Sequence, residues 1–193
     1  MMGIILESST SFPVKEKILL DTNVLYWLTY ANSRVFPSRL KPQEYQLEEY
    51  PKLFQKLLEH ENELFFSNYS ISELASIIAK VEASLSGRGF DYERKKWLRE
   101  ENGRETVVKE LTVAVETIES WAEPLASHPP LSSNEYLNKY AQVHLDGYDI
   151  NIENELTKNQ LSYVLTDDID FISVDSLKVI TANRRHPRAM VIR

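Results

Sequence analysis

The chain has 193 residues, a mass of 22.4 kDa, a formal net charge of −7 and a pI of about 5.2. Hydrophobic residues make up 42% and charged residues 26%, a balance that excludes wholesale disorder and fits a soluble globular chain of one domain. With no cysteine, disulfides, thiolate zinc sites and a cysteine nucleophile are excluded, and the four histidines show no zinc-protease spacing.

Residues 17–21 (KILLD) read as a short buried strand, because a continuous apolar run ends in a polar turn. A helix is expected from about 24 to 30, followed by an irregular stretch over 31–47 that contains Pro37 and Pro42. Leu53, Phe54, Leu57 and Leu58 place an amphipathic helix at about 48–61. Residues 63–67 (ELFFS) read as a second strand, and Leu74, Ile77, Ile78 and Val81 as one face of a helix over 70–84. Residues 86–104 are dense in charge, with Phe90, Tyr92 and Trp97 among the cations. A long helix at about 105–122, a proline-rich connection at 123–133 and helices at 134–144 and about 149–160 come next. Residues 163–166 (YVLT) and 177–181 (LKVIT) read as the last two strands, and a basic tail begins at about 182. There is no internal repeat and no low-complexity tract.

Short apolar strands that alternate with helices predict an α/β fold with three layers, a short and mostly parallel sheet covered by helices on both faces. In such a sheet the ligand site lies outside the carboxyl ends of the strands. Acids stand at those ends. Asp21 closes the first strand, Glu73 lies in the first turns of the helix after the second, Asp149 starts the helix before YVL, and Asp167 and Asp168 follow Thr166. Clustered carboxylates repel one another, and a hard divalent cation with oxygen ligands relieves that repulsion. Oxygen-only donors point to Mg²⁺ or Mn²⁺. Each acid also has a plain structural reading. Asp21 can cap a helix, Ser70 and Glu73 fit a capping box, Asp149 can favour a helix start with Asp146 as the cap, and Asp167 or Asp168 can close a turn. Capping does not require four acids to meet at one edge, and metal binding does.

The motifs ILLDTNVL (18–25), SNYSISEL (67–74), GYDINIENELTKNQLSYVLTDDIDF (147–171) and VITAN (179–183), in that order, resemble the PIN-domain nucleases, above all the VapC-type toxins of toxin–antitoxin pairs. The resemblance covers roughly 15–80 and 134–185. It implies one PIN-like domain over 1–193, with a helical insertion at about 85–133 that the motifs do not cover. It also implies that Asp21, Glu73, Asp149 and Asp168 are the catalytic acids and hold the metal. Asp149 is preferred to Asp146 for its distance from TDDIDF. Asp146, Asp170, Asn23 and Thr166 are supporting residues, Thr166 orienting a carboxylate or a metal-bound water and Asn23 fixing the turn after the first strand.

The implied activity is metal-dependent hydrolysis of phosphodiester bonds, endonucleolytic on RNA. A binding or scaffold protein that keeps the fold without catalysis is the alternative, and the four acids argue against it. A phosphatase that begins with Asp after a strand would want a second Asp where Asn23 stands. RNA needs positive charge. Arg184, Arg185 and Arg188 in the tail are one source, and the 86–104 segment is another unless it is a solvated helix laced with ion pairs, with Trp97 packed on a neighbour. The resemblance further implies an antitoxin partner bound through the helices at 48–61 and 70–84, which periodicity alone reads as core, and a homodimer through these or the helix at 105–122. No run of roughly 20 apolar residues is present to span a membrane, and no basic segment opens a signal peptide, so a cytoplasmic protein is expected.

Overall fold

Ile18, Leu19 and Leu20 are all fully buried, and they alternate between two separate cores. Ile18 and Leu20 join one core and Leu19 the other, which places their strand in the middle layer. This is seen in the computed structural model, which describes residues 4–6, 12–36, 40–88, 90–100, 102–185 and 191–192. The strands are β1 (Ile4–Leu6), β2 (Lys17–Leu20), β3 (Glu63–Phe66), β4 (Glu123–Pro124), β5 (Tyr163–Leu165), β6 (Lys178–Ile180) and β7 (Val191–Ile192). They form one sheet in the order β4-β3-β2-β5-β6-β1-β7, with every neighbouring pair parallel. The two-residue edge strand β4 lies in what the sequence reads as a plain proline-rich connection.

The same alternation runs through the neighbours. Tyr163 and Leu165 of β5 face the first core and Val164 the second; in β6, Ile180 and Val179 divide likewise. The first core is covered by α1 (Thr22–Leu28), α2 (Glu44–Glu59), α3 (Asn68–Leu85), α4 (Asp91–Glu100) and α5 (Gly103–Glu119). The second is covered mainly by α7 (Gly147–Lys158), the short 3-10 helix Ile169–Ser173 and the partly buried Tyr136 of α6 (Ser133–Tyr140). The three layers expected from the sequence are therefore present.

Two helix boundaries differ from the sequence expectation for identifiable reasons. The first helix begins at Thr22 because Asp21 caps it, its carboxylate accepting from the Thr22 N–H at 2.7 Å. The helix expected at 48–61 begins at Glu44 and runs through Pro51. A capping box between Gln43 and Gln46 starts it, and Tyr50, Leu53 and Leu57 bury its inner face.

The charged stretch folds as α4 with its apolar residues split. Trp97 is buried in the core, as expected of a residue packed on a neighbour, whereas Phe90 and Tyr92 are exposed and stacked on each other. Helices α4 and α5 both pack on α3. Arg34 ties this group together, placing Nη1 2.9 Å from Glu82 of α3 while Nη2 pairs with Glu110 of α5. The Tyr30 hydroxyl donates to the same Glu82 at 2.6 Å. The apolar faces of α2 and α3 are spent mostly on the chain's own core; Leu58 and Leu85 are their large apolar residues left exposed. No helix among the described residues is long and apolar enough to cross a membrane.

Candidate active site

Parallel register sets the chemistry of the carboxyl edge. Leu20 pairs with Leu165, Leu165 with Ile180 and Leu19 with Phe65. The next row along the sheet therefore consists of Ser67, Asp21, Thr166 and Thr181, all short, polar and buried. The connections turn back between β2 and β5: the chain moves outward from β2 to β3 and β4, then returns to the other side of β2. A crevice outside the strand ends is expected at such a reversal, and Asp21 and Thr166 flank it.

Asp21 is 2% exposed. One carboxylate oxygen accepts from the Thr22 N–H and the other from the Thr166 hydroxyl, each at 2.7 Å. Burial pushes its pKa up to about 7; the Thr166 bond opposes this, and the charges of Glu73 and Asp168 add to it. Thr166 works in two directions, because its oxygen also accepts from the Asp168 N–H at 2.9 Å. It thereby fixes the first and fourth acids relative to each other.

Asp168 caps the following 3-10 helix, accepting from the Asp170 N–H at 2.8 Å. Burial raises its pKa, the Asp170 N–H bond lowers it, and the charges of Asp170, Asp146 and Asp167 raise it further. Asp149, half-buried in the first turn of α7, is pushed up to about 8, by burial first and then by Asp21, Glu73, Asp168 and Asp146. Asp21 and Asp149 thus feel the charges of the other acids across the sheet edge. Among the described residues, however, no three Asp, Glu or His side chains converge closely enough to hold a metal ion as they stand.

One of the plain structural readings fails here, and a second holds in position only. The helix carrying Glu73 starts at Asn68, and its cap is Ser67, whose oxygen accepts from the Tyr69 N–H at 3.1 Å. Ser70 is buried inside the first turn and forms no capping box with Glu73. Glu73 Oε2, Ser70 Oγ and Thr22 Oγ1 are instead buried without a hydrogen-bond partner among the described residues, an expensive condition unless something else meets them. Asp146 occupies the cap position of α7, but its side chain makes no capping bond. For Asp21 and Asp168 capping is real and accompanies their place at the edge.

The supporting residues divide. Thr166 orients Asp21 directly. The Asp170 carboxylate is exposed, and its backbone N–H is what reaches Asp168. The Asn23 side chain makes no hydrogen bond among the described residues, and Asp21 itself fixes the turn assigned to it. Arg184 and Arg185 are exposed just beyond β6; Arg188 lies outside the described residues.

Asp167 is the residue whose role sequence reasoning missed. Its carboxylate accepts from the Tyr45 hydroxyl at 2.9 Å, Gln46 Nε2 at 2.9 Å and the Tyr50 hydroxyl at 2.7 Å. Its carbonyl accepts from Asn183 Nδ2 at 2.9 Å. Tyr50 also donates to the Thr166 carbonyl at 3.0 Å. These bonds clamp the turn that presents Asp168. Tyr45 and Gln46 lie in the stretch read as irregular, so nothing in the sequence pattern set them opposite Asp167.

The donor set suits a hard cation. It is oxygen-only, the carboxylates repel one another, and Glu73 presents a buried oxygen without a partner.

No family model and no curated protein matches the sequence. Solved structures do. The chain is 14% identical to one in VapBC2 from Rickettsia felis bound to a DNA fragment from their promoter, the match covering 86% of this chain and 98% of that one at a TM-score of 0.49. It is 17% identical to a chain of FitAB bound to an IR36 DNA fragment, covering 89% and 99% at a TM-score of 0.41.

Proposed function

We propose that the chain is a divalent-metal-dependent ribonuclease of the PIN type that hydrolyses phosphodiester bonds within RNA. The observation that carries this reading is the gathering of Asp21, Glu73, Asp149 and Asp168, from four separate elements, at the reversal point of a parallel sheet. There the charges of Glu73 and Asp168 raise the affinity of Asp21 and Asp149 for protons, and one buried Glu73 oxygen is without a partner among the described residues.

Asp21, Asp149 and Asp168 would hold Mg²⁺ or Mn²⁺, with Glu73 as a fourth ligand or as the group that orients the attacking water. When bound, the ion neutralises the anionic phosphodiester and makes water a better nucleophile at neutral pH. The chain's own residues do the rest. Thr166 holds Asp21 and Asp168 in fixed relation, and the clamp on Asp167 keeps their turn from shifting. Each Asp21 oxygen spends one hydrogen bond on the protein and keeps acceptor capacity toward the crevice.

The toxin role, an antitoxin partner, a homodimer and a cytoplasmic setting belong to the same proposal, and they rest on the resemblance of the motifs. So does the reading of 85–133 as an insertion in one PIN-like domain. Because α4 and α5 lie on α3, a partner would meet those helices where a toxin without the insertion would present α3.

A second reading, a binding scaffold without catalysis, draws on one observation: among the described residues no three carboxylates meet closely enough to hold an ion as they stand. Incubating purified protein with total RNA and Mg²⁺ or Mn²⁺, beside Asp21→Asn and EDTA controls, separates the two. Discrete fragments that vanish in both controls are expected. Intact RNA with either metal, from folded protein free of a co-purified partner, would favour the scaffold.

A further inference from the structure

A second feature lies beside the acid edge. An open cleft of about 390 Å³ runs between the start of α2 and the segment after β6, within the size range of small-ligand sites. Glu44, Tyr45, Glu48 and Glu49 line it from the helix, Glu49 being paired with Lys52, and Asn183, Arg184 and Arg185 line it from the segment. It is joined to the acid site by Asp167, which holds the Tyr45 hydroxyl and the Asn183 amide and directly precedes Asp168. Tyr45 is half-buried with its hydroxyl anchored at both Asp167 oxygens, so its ring is held in place. The Arg184 and Arg185 guanidinium groups form no ion pair among the described residues.

The cleft carries both signs of charge. Free phosphate would be drawn to the arginines and repelled by the glutamates; a simple cation would meet the reverse. A molecule with an anionic end and an N–H-rich end satisfies both, with a flat ring available to an aromatic face. Among the nucleobases guanine fits best. Its N1–H and N2–H₂ donate side by side, the fork a carboxylate accepts, whereas uracil sets carbonyl oxygens on either side of a single N–H.

We propose that this cleft is a nucleotide subsite that seats one unpaired guanine nucleotide of the RNA strand: phosphate on Arg184 and Arg185, base on Tyr45, Watson–Crick edge on Glu44 or Glu48. The assignment to an RNA strand rests on the ribonuclease reading above; the existence of the subsite does not.

Titration of the full chain with GMP, AMP, CMP and UMP in EDTA, followed by calorimetry or NMR, tests it. GMP is expected to bind most tightly. Arg184→Ala with Arg185→Ala should weaken it about tenfold or more, the scale of lost charge-assisted bonds. Glu44→Gln with Glu48→Gln should erase the preference of GMP over UMP. These four side chains are exposed, so the variants are expected to fold, which circular dichroism checks. Asp21→Asn should bind GMP as the parent does, which separates this site from the acids even if no RNA is cleaved. A single-stranded pentaribonucleotide containing guanine should compete with GMP. No binding, binding without base preference, or binding indifferent to the arginines would overturn the subsite; GMP binding without competition by the pentamer would overturn its assignment to RNA.

Discussion

Asp149 and Asp21 are carboxylates that folding makes harder to ionise. Their pKa values rise from 3.8 to about 8 and about 7. Between those limits the folded chain holds protons that the unfolded chain has released, so its stability falls as pH rises through that window. Without divalent ions, the thermal midpoint should therefore drop from pH 5 to pH 8.5, Asp149→Asn should flatten the slope, and Mg²⁺ or Mn²⁺ should restore stability at the alkaline end. A midpoint indifferent both to pH and to either ion would count against shared carboxylate chemistry. These acids were legible in the sequence because each follows a buried strand or opens a helix beside one. Asp167 was not. Two adjacent aspartates in a turn look alike in sequence, and only the partners decide that Asp168 joins the acid edge while Asp167 turns to Tyr45, Gln46 and Tyr50.

The junction of α4 and α5 shows how an element is fixed by one small residue. Asn102 adopts a left-handed φ of 57°, and Gly103 follows against the Trp97 ring. A Cβ at Gly103 would stand 2.6 Å from two ring carbons and 2.8 Å from the Trp97 carbonyl oxygen. Gly103→Ala should therefore destabilise by about 1–3 kcal/mol through overpacking, although alanine favours a helix by up to ~1 kcal/mol. Urea unfolding measures this, and a variant as stable as the parent would show that the junction yields freely. Periodicity predicted α3 and α5 because their apolar stripes span several turns. It placed the start of α2 late because Pro51 and the polar residues before it carry no stripe. The capping box and the tyrosine bonds to Asp167 supply what the pattern lacked.

Across the whole molecule, the sheet separates two cores, and the three tryptophans all serve one of them. Trp27 and Trp97 are buried in the core over α1–α5, and Trp121 packs against it. Both cores share β2, β5 and β6, so they should melt together. Tryptophan fluorescence, which reports one side, and far-ultraviolet circular dichroism, which reports both, should give the same urea midpoint. Separate midpoints would mean that the core over α1–α5 unfolds apart from the other. The layered class was readable in the alternation of short apolar strands with helices. The outer strands β1, β4 and β7 were not; β4 and β7 have only two residues each, too few to show a period.

The strand order also sets the timing of the site during synthesis. A nascent chain that has reached residue 160 already contains Asp21, Glu73 and Asp149. It still lacks β5, which must insert beside β2, and Thr166, which holds Asp21 in place. Whatever chemistry this edge performs is therefore silent until β5 and Thr166 have left the ribosome and settled beside β2.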